Sequence, residues 1–214
     1  MEKRTVAVGP KALEGYLRMP ADPIGLVVFA HGAGSSHLSA RNNFVAEELG
    51  KRRIATLLFD LLTNAEAADR RNVFDIPLLS ERMLEAMAWA RAQQTGPALP
   101  VGLFGASTGA AAALVAAARA PEQVQAVVSR GGRPDMAGDA LPEVRAPVLL
   151  IVGGADDQVI DLNEAAAAKL TCPHETRIIP GATHLFEEPG ALEEVVRLAG
   201  DWFATHLAPE AQSP

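Results

Sequence analysis

The sequence predicts an α/β fold, a mostly parallel sheet covered by helices on both faces. Three observations lead there. Short unbroken apolar runs at Ile24–Ala30, Ile54–Leu62 and Pro147–Val152 suit strands buried on both faces. Segments with apolar residues at helical spacing alternate with those runs, the order in which a parallel sheet is built. One junction, Val101–Gly109 (VGLFGASTG), passes from a buried-strand run through a glycine-flanked serine into the Ala-rich stretch Ala110–Ala118, and Ala is the best helix former.

From the start of the chain, Arg4–Val8 and Leu13–Met19 flank Gly9-Pro10-Lys11 and read as a hairpin at one sheet edge. The Ile24–Ala30 strand ends in His31-Gly32-Ala33-Gly34-Ser35-Ser36. A helix follows to Leu49, with Phe44, Val45, Glu48 and Leu49 at helical spacing and Gly50 as its stop. After the Ile54–Leu62 strand, Thr63–Phe74 is a polar connection. Asp75 caps a helix over Ile76–Gln94, with Pro77 in its first turn and Leu79, Met83, Ala86, Met87 and Ala90 on one face. Beyond the Ala helix, Ala126–Ser129, Pro147–Val152 and Arg177–Pro180 read as strands. Asn163–Leu170 is a short helix, and Ala191–His206 closes the chain with an apolar stripe of Leu192, Val195, Val196, Ala199, Trp202 and Phe203. Residues 1–207 form one domain and 208–214 a flexible tail.

Composition narrows the function classes. The 214 residues are 49% hydrophobic and 21% charged, enough apolar material for a substantial core. A net charge of −7 without a basic run argues against a nucleic-acid partner. The opening MEKRTVAVGP has no signal-type apolar region, and no stretch is apolar enough to span a bilayer. With one cysteine, Cys172, an internal disulfide is impossible, and a cytoplasmic location is expected. Neither metal-ligand spacing nor a Gly-rich phosphate loop is present.

Chemistry collects where predicted strands end, as it does in such sheets. Gly105-Ala106-Ser107-Thr108-Gly109 is a G-x-S-x-G on a strand-to-helix turn, which lifts a serine hydroxyl clear of the sheet. The strand ending at Val152 runs into Gly153-Gly154-Ala155-Asp156-Asp157-Gln158-Val159, and the last strand into Gly181-Ala182-Thr183-His184. His184 is placed to take the Ser107 proton as general base and return it to the leaving group. Asp156 is placed to accept from the imidazole and fix its tautomer. The backbone N–H groups of Thr108 and Ala33 are the candidate oxyanion donors.

These motifs, HGAG after the Ile24–Ala30 strand, GASTG at the turn, GGADDQV at the acid loop and GATHLF at the base, resemble the α/β-hydrolases of the dienelactone hydrolase-like group. The resemblance runs from about Ile24 to Trp202. It implies an eight-stranded sheet with an antiparallel edge and no substantial lid domain. It also implies hydrolysis of a small soluble carboxylic ester, thioester or lactone through an acyl-enzyme, without cofactor or metal. The dienelactone hydrolases proper use a Cys nucleophile, whereas Ser107 stands here. Acyl transfer from the same acyl-enzyme, or a non-catalytic binding protein on the same fold, are the alternatives. The family pattern G-x-x-D-x-x-V selects Asp156 over Asp157, which caps or faces solvent.

Other residues read as structural. His31 braces the oxyanion turn, His37 and His174 lie in loops, and a positive His206 suits a helix C-terminus. Cys172 is a passive small residue. Arg130, in Ser129-Arg130-Gly131-Gly132-Arg133, either binds a substrate carboxylate or braces its loop in a salt bridge. The 63–79 connection and the 130–145 loop are the expected pocket walls.

Overall fold

The computed structural model describes residues 1–94 and 96–208. Its eight strands are β1 (Glu2–Val8), β2 (Leu13–Met19), β3 (Gly25–Ala30), β4 (Ile54–Phe59), β5 (Val101–Ala106), β6 (Val124–Arg130), β7 (Val148–Gly153) and β8 (His174–Ile179). They form one sheet in the order β1-β2-β4-β3-β5-β6-β7-β8. β1 pairs antiparallel with β2, β2 pairs antiparallel with β4, and the remaining pairings are parallel. The expected mostly parallel sheet with an antiparallel edge is therefore present.

Every residue of β3, β4 and β7 is buried, because helices cover both faces of the sheet centre. Side chains alternate between two cores. Leu26, Val28, Leu103, Val127 and Leu150 face one, with α3 (Ile76–Ala92), α4 (Thr108–Arg119) and residues of α5 (Asp157–Ala167). Val27, Phe29, Phe104, Val128 and Ile151 face the other, with α1 (Ala40–Lys51) and α6 (Ala191–Leu207). Phe29 and Phe104 stack there at 4.7 Å between ring centres. At the outer edge β8 is mostly exposed and carries Glu175 and Arg177, charges that discourage pairing with another sheet.

Several expected boundaries shift. Gly50 does not stop α1. It stays helical and buried, where a Cβ would strike Met1, and Arg53 makes the turn at φ 63°. Asp75 caps α3 as expected, accepting from the Leu78 N–H at 3.0 Å. The 63–74 connection holds a one-turn helix α2 (Asn64–Ala67) with a Thr63–Glu66 capping box. Helix α5 begins at Asp157, not Asn163, and short 3₁₀ turns within Pro134–Glu143, divided by a kink at Gly138, occupy the 130–145 loop. The expected tail lies, beyond Ala208, outside the described residues. Among those residues no helix is long and apolar enough to cross a membrane.

The carboxyl ends of β3, β5, β6, β7 and the β8 loop all open on one edge. Chain order reverses between β3 and β5, so a crevice forms there. Helix α4 seats tightly against that crevice through Gly109. A Cβ on Gly109 would collide with the carbonyl oxygens of Ala30 and His31, the latter at 2.6 Å. Backbone oxygens at the end of a central strand cannot retreat cheaply. Gly109→Ala is expected to lose about 3 kcal/mol or more, a Tm drop of roughly 6–12 °C, read by thermal and urea melts. A variant as stable as the parent would contradict this close approach.

Candidate active site

Ser107 sits between β5 and α4 at φ 51°, ψ −125°, a left-handed backbone that an L-residue adopts only when its surroundings enforce it. Three backbone bonds enforce it. The Ser107 N–H donates to the Arg130 carbonyl at 3.3 Å, and its carbonyl accepts from the N–H groups of Ala110 and Arg133 at 3.1 and 3.0 Å. Gly32 and Gly105 leave the room this bend needs, since a Cβ on either would meet Ser107 Cβ at 2.9 Å or the Ala110 nitrogen at 2.6 Å.

The loops bearing Asp156 and His184 are joined to each other by backbone bonds as well as through their side chains. Gly154 N–H donates to the Ile179 carbonyl at 2.8 Å, and Ala155 N–H to the Ala182 carbonyl at 2.9 Å. Gly153 permits this approach, because a Cβ there would lie 2.7 Å from the Thr183 oxygen. Asp156 occupies the N-cap position of α5 without making a capping bond. Its Oδ2 instead accepts from His184 Nδ1 at 2.8 Å. Asp157 is exposed in the first helical turn, so the two neighbouring carboxylates part company as expected.

Ser107 and His184 line one cleft of about 220 Å³, together with Gly32, Ala33, Ser35, Ser39, Arg41, Asn42, Ala106, Arg130 and Leu185. Among the described residues no direct hydrogen bond joins Ser107 Oγ to the His184 ring, and His184 Nε2 has no protein partner. Catalytic bonds of this kind commonly close only around substrate. The walls come from 32–42 and 184–185. Of the segments expected to form them, 63–79 contributes nothing and 130–145 contributes Arg130.

The two candidate oxyanion donors, the N–H groups of Ala33 and Thr108, lie next to each other where β3 and α4 meet. Ala33 N–H is not free: it donates to Thr108 Oγ1 at 2.9 Å. The first residue of α4 faces the β3 turn, so its hydroxyl reaches across. Thr108 N–H heads the helix with no intrahelical acceptor.

The remaining histidines divide by their partners. His31 Nε2 accepts from Leu61 N–H at 3.0 Å and its Nδ1 donates to the Gly32 carbonyl at 2.9 Å. Burial pushes its pKa down, so the neutral ring braces the His31-Gly32-Ala33 turn. His37 lies in the loop between β3 and α1, as expected, and is buried there with Nδ1 2.9 Å from Asp60 Oδ1. His206 packs edge-on against Trp202, and desolvation lowers its pKa, which disfavours the charged form expected at that helix end. The Cys172 thiol is buried and its pKa is pushed up by that burial, in keeping with a passive role.

Arg130 makes no salt bridge among the described residues. The brace in that loop is Arg133, bidentate on Asp135 at 2.9 and 2.8 Å. Arg130 is 8% exposed, with Nη2 3.3 Å from Asn42 Oδ1.

Comparison with known proteins agrees with this fold. A family model described as an alpha/beta hydrolase domain matches residues 23–196. A solved dienelactone hydrolase from Anabaena variabilis is 52% identical, with a TM-score of 0.91 over 96% of this chain and 97% of that one. The Est1E structure from Butyrivibrio proteoclasticus is 17% identical, with a TM-score of 0.80 over 98% of this chain and all of that one, a likeness of fold. A Mycobacterium tuberculosis protein carrying the provisional name of phosphoribosyl transferase is 56% identical over 206 residues. That match takes in 96% of this chain and 46% of the relative, so the chain spans about half its length.

Proposed function

The chain belongs to the alpha/beta hydrolase domain family, and from that membership we propose that it hydrolyses a small carboxylic ester, thioester or lactone through an acyl-enzyme on Ser107. The carrying observation is the 2.8 Å bond from His184 Nδ1 to Asp156, made by a ring that lines the same cleft as Ser107. That bond fixes the tautomer with Nδ1 protonated, leaving Nε2 as the base.

Ser107 Oγ attacks the carbonyl carbon as its proton passes to His184 Nε2. Asp156 stabilises the imidazolium that forms. The oxyanion meets Thr108 N–H, with added stabilisation from the N-terminus of α4. The Thr108 hydroxyl holds Ala33 N–H in position until the oxyanion takes that donor over. His184 then protonates the leaving group, and water activated by the same ring releases the acid. The phosphoribosyl transferase name belongs to a relative of which this chain matches 46% of the length.

A cleft of about 220 Å³ is small beside the roughly 300–1,000 Å³ that encloses drug-sized ligands. In a series of p-nitrophenyl esters, kcat/KM is expected to be highest for short acyl chains and to fall beyond butanoate. Absence of p-nitrophenol release from every ester, even at stoichiometric enzyme, would sink the reading.

A further inference from the structure

Arg41 lines two concavities at once. One is the cleft of about 220 Å³ that holds Ser107 and His184. The other is a more open hollow of about 360 Å³, walled by residues 186–190 and the start of α6. From this shared position Arg41 Nη1 donates to Glu187 Oε1 at 2.8 Å, across 146 residues of chain. The pair ties the first turn of α1 to the loop that carries His184, and those two segments are the walls of the cleft.

The two partners differ in freedom. Phe186, next to Glu187, is 1% exposed and held at φ 55°, with its N–H donating to the Thr183 carbonyl at 3.2 Å. A buried aromatic at positive φ is fixed by its surroundings, so the backbone entering Glu187 is anchored. Arg41 is about a third exposed, on a long stem with many rotamers. A partly exposed pair of this kind is weak, favouring the closed arrangement by roughly 1.5- to 5-fold. Another cation on the cleft biases how it opens. Burial above all, and the positive Arg41 after it, push the Arg130 pKa down to about 10. The two guanidiniums repel each other, so Arg41 released from Glu187 moves away from Arg130 and out of the cleft.

The chemistry says which part of a substrate meets this boundary. His184 returns its proton to the leaving group, so the leaving group lies against the loop bearing that ring. The hollow is walled by the continuation of the same loop, with Pro189 and Leu192 supplying apolar surface. We propose that the Arg41–Glu187 pair determines leaving-group specificity. Closed, it confines the cleft to esters of short alcohols; parted, it joins cleft and hollow and admits a longer uncharged alcohol. The proposal rests on the acyl-enzyme reading of Ser107 and names the part of the substrate that these two residues read.

Three uncharged esters test it by acid release at constant pH: ethyl acetate, hexyl acetate with a longer alcohol, and ethyl hexanoate with a longer acid. In Glu187→Gln the kcat/KM ratio of hexyl to ethyl acetate is expected to rise about 3- to 5-fold. Arg41→Ala also removes the side chain from the boundary, and the ratio is expected to rise about 10-fold. The ratio of ethyl hexanoate to ethyl acetate is expected to stay within about twofold of wild type in both variants. Raising NaCl to about 1 M screens the pair, so wild type is expected to move toward the Glu187→Gln ratio, and Glu187→Gln itself is not. Should Arg41→Ala fail to fold, Glu187→Gln and the salt response of wild type decide, Glu187 being 63% exposed. An unchanged hexyl acetate ratio, an equal rise on ethyl hexanoate, or the same salt response in Glu187→Gln as in wild type would each overturn the proposal. Ethyl acetate hydrolysis by wild type and by Ser107→Ala reports separately on the acyl-enzyme, so failure of that step is not mistaken for failure of the pair.

Discussion

Ser107→Ala lowers kcat for any ester substrate on the order of 10³-fold or more while the fold is retained. The hydroxyl is the attacking group, and the other serines of the cleft, Ser35 and Ser39, lie on the 32–42 wall rather than on the turn between β5 and α4. Alanine keeps the Cβ that the structure already accommodates at φ 51°, and the backbone bonds to Arg130, Ala110 and Arg133 do not involve the side chain. The variant should therefore melt within a degree or two of wild type. Unchanged turnover in a clean preparation would remove Ser107 from the mechanism.

The second large effect separates two adjacent carboxylates. Asp156→Asn is expected to lower kcat by about 10²- to 10⁴-fold. An amide can offer an N–H to His184 Nδ1, which moves the ring proton to Nε2 and leaves no base facing Ser107. Asp157→Asn should change kcat less than about twofold, since Asp157 is exposed and contributes to α5 only through the helix dipole. Steady-state kinetics on the two variants side by side gives the answer. A larger loss in Asp157→Asn would transfer the acid role by one residue.

The sheet was largely legible because its strands are buried on both faces and therefore read as unbroken apolar runs. The loops that follow them carry short glycine-rich motifs, which is why Ser107, Asp156 and His184 could be singled out and are found at one edge of the sheet. The start of α5 was hidden by the same motif: Gly153-Gly154-Ala155-Asp156-Asp157 reads as loop, and the buried face of the helix, Val159, Asn163 and Ala166, is interrupted by a polar residue. Asn163 is buried because its amide donates to the Gly132 and Val159 carbonyls at 3.1 and 2.8 Å, partners no local pattern announces. Pro134, Gly138 and Pro142 look like breakers, and Gly138 does break the segment, at φ 53° and ψ −122°, yet Pro134 and Pro142 sit within the short 3₁₀ turns on either side and Leu141 packs into the core.

Two features of the site had no sequence signal. The bond from Ala33 N–H to Thr108 Oγ1 joins residues 75 apart in the chain. Arg130 is buried beside Asn42 of α1 and the Phe186 ring, with no acid in salt-bridge reach among the described residues. Charged residues in a Gly-rich loop ordinarily find a salt bridge, and Arg133 does so while Arg130 does not.

A fluorophosphonate probe, followed by peptide mapping of the labelled protein, reads the nucleophile directly. A serine acyl-enzyme mechanism predicts one modification per chain, on Ser107, formed rapidly in wild type and slowed by orders of magnitude in His184→Ala. No label on Ser107, or a label at the same rate without His184, would contradict it.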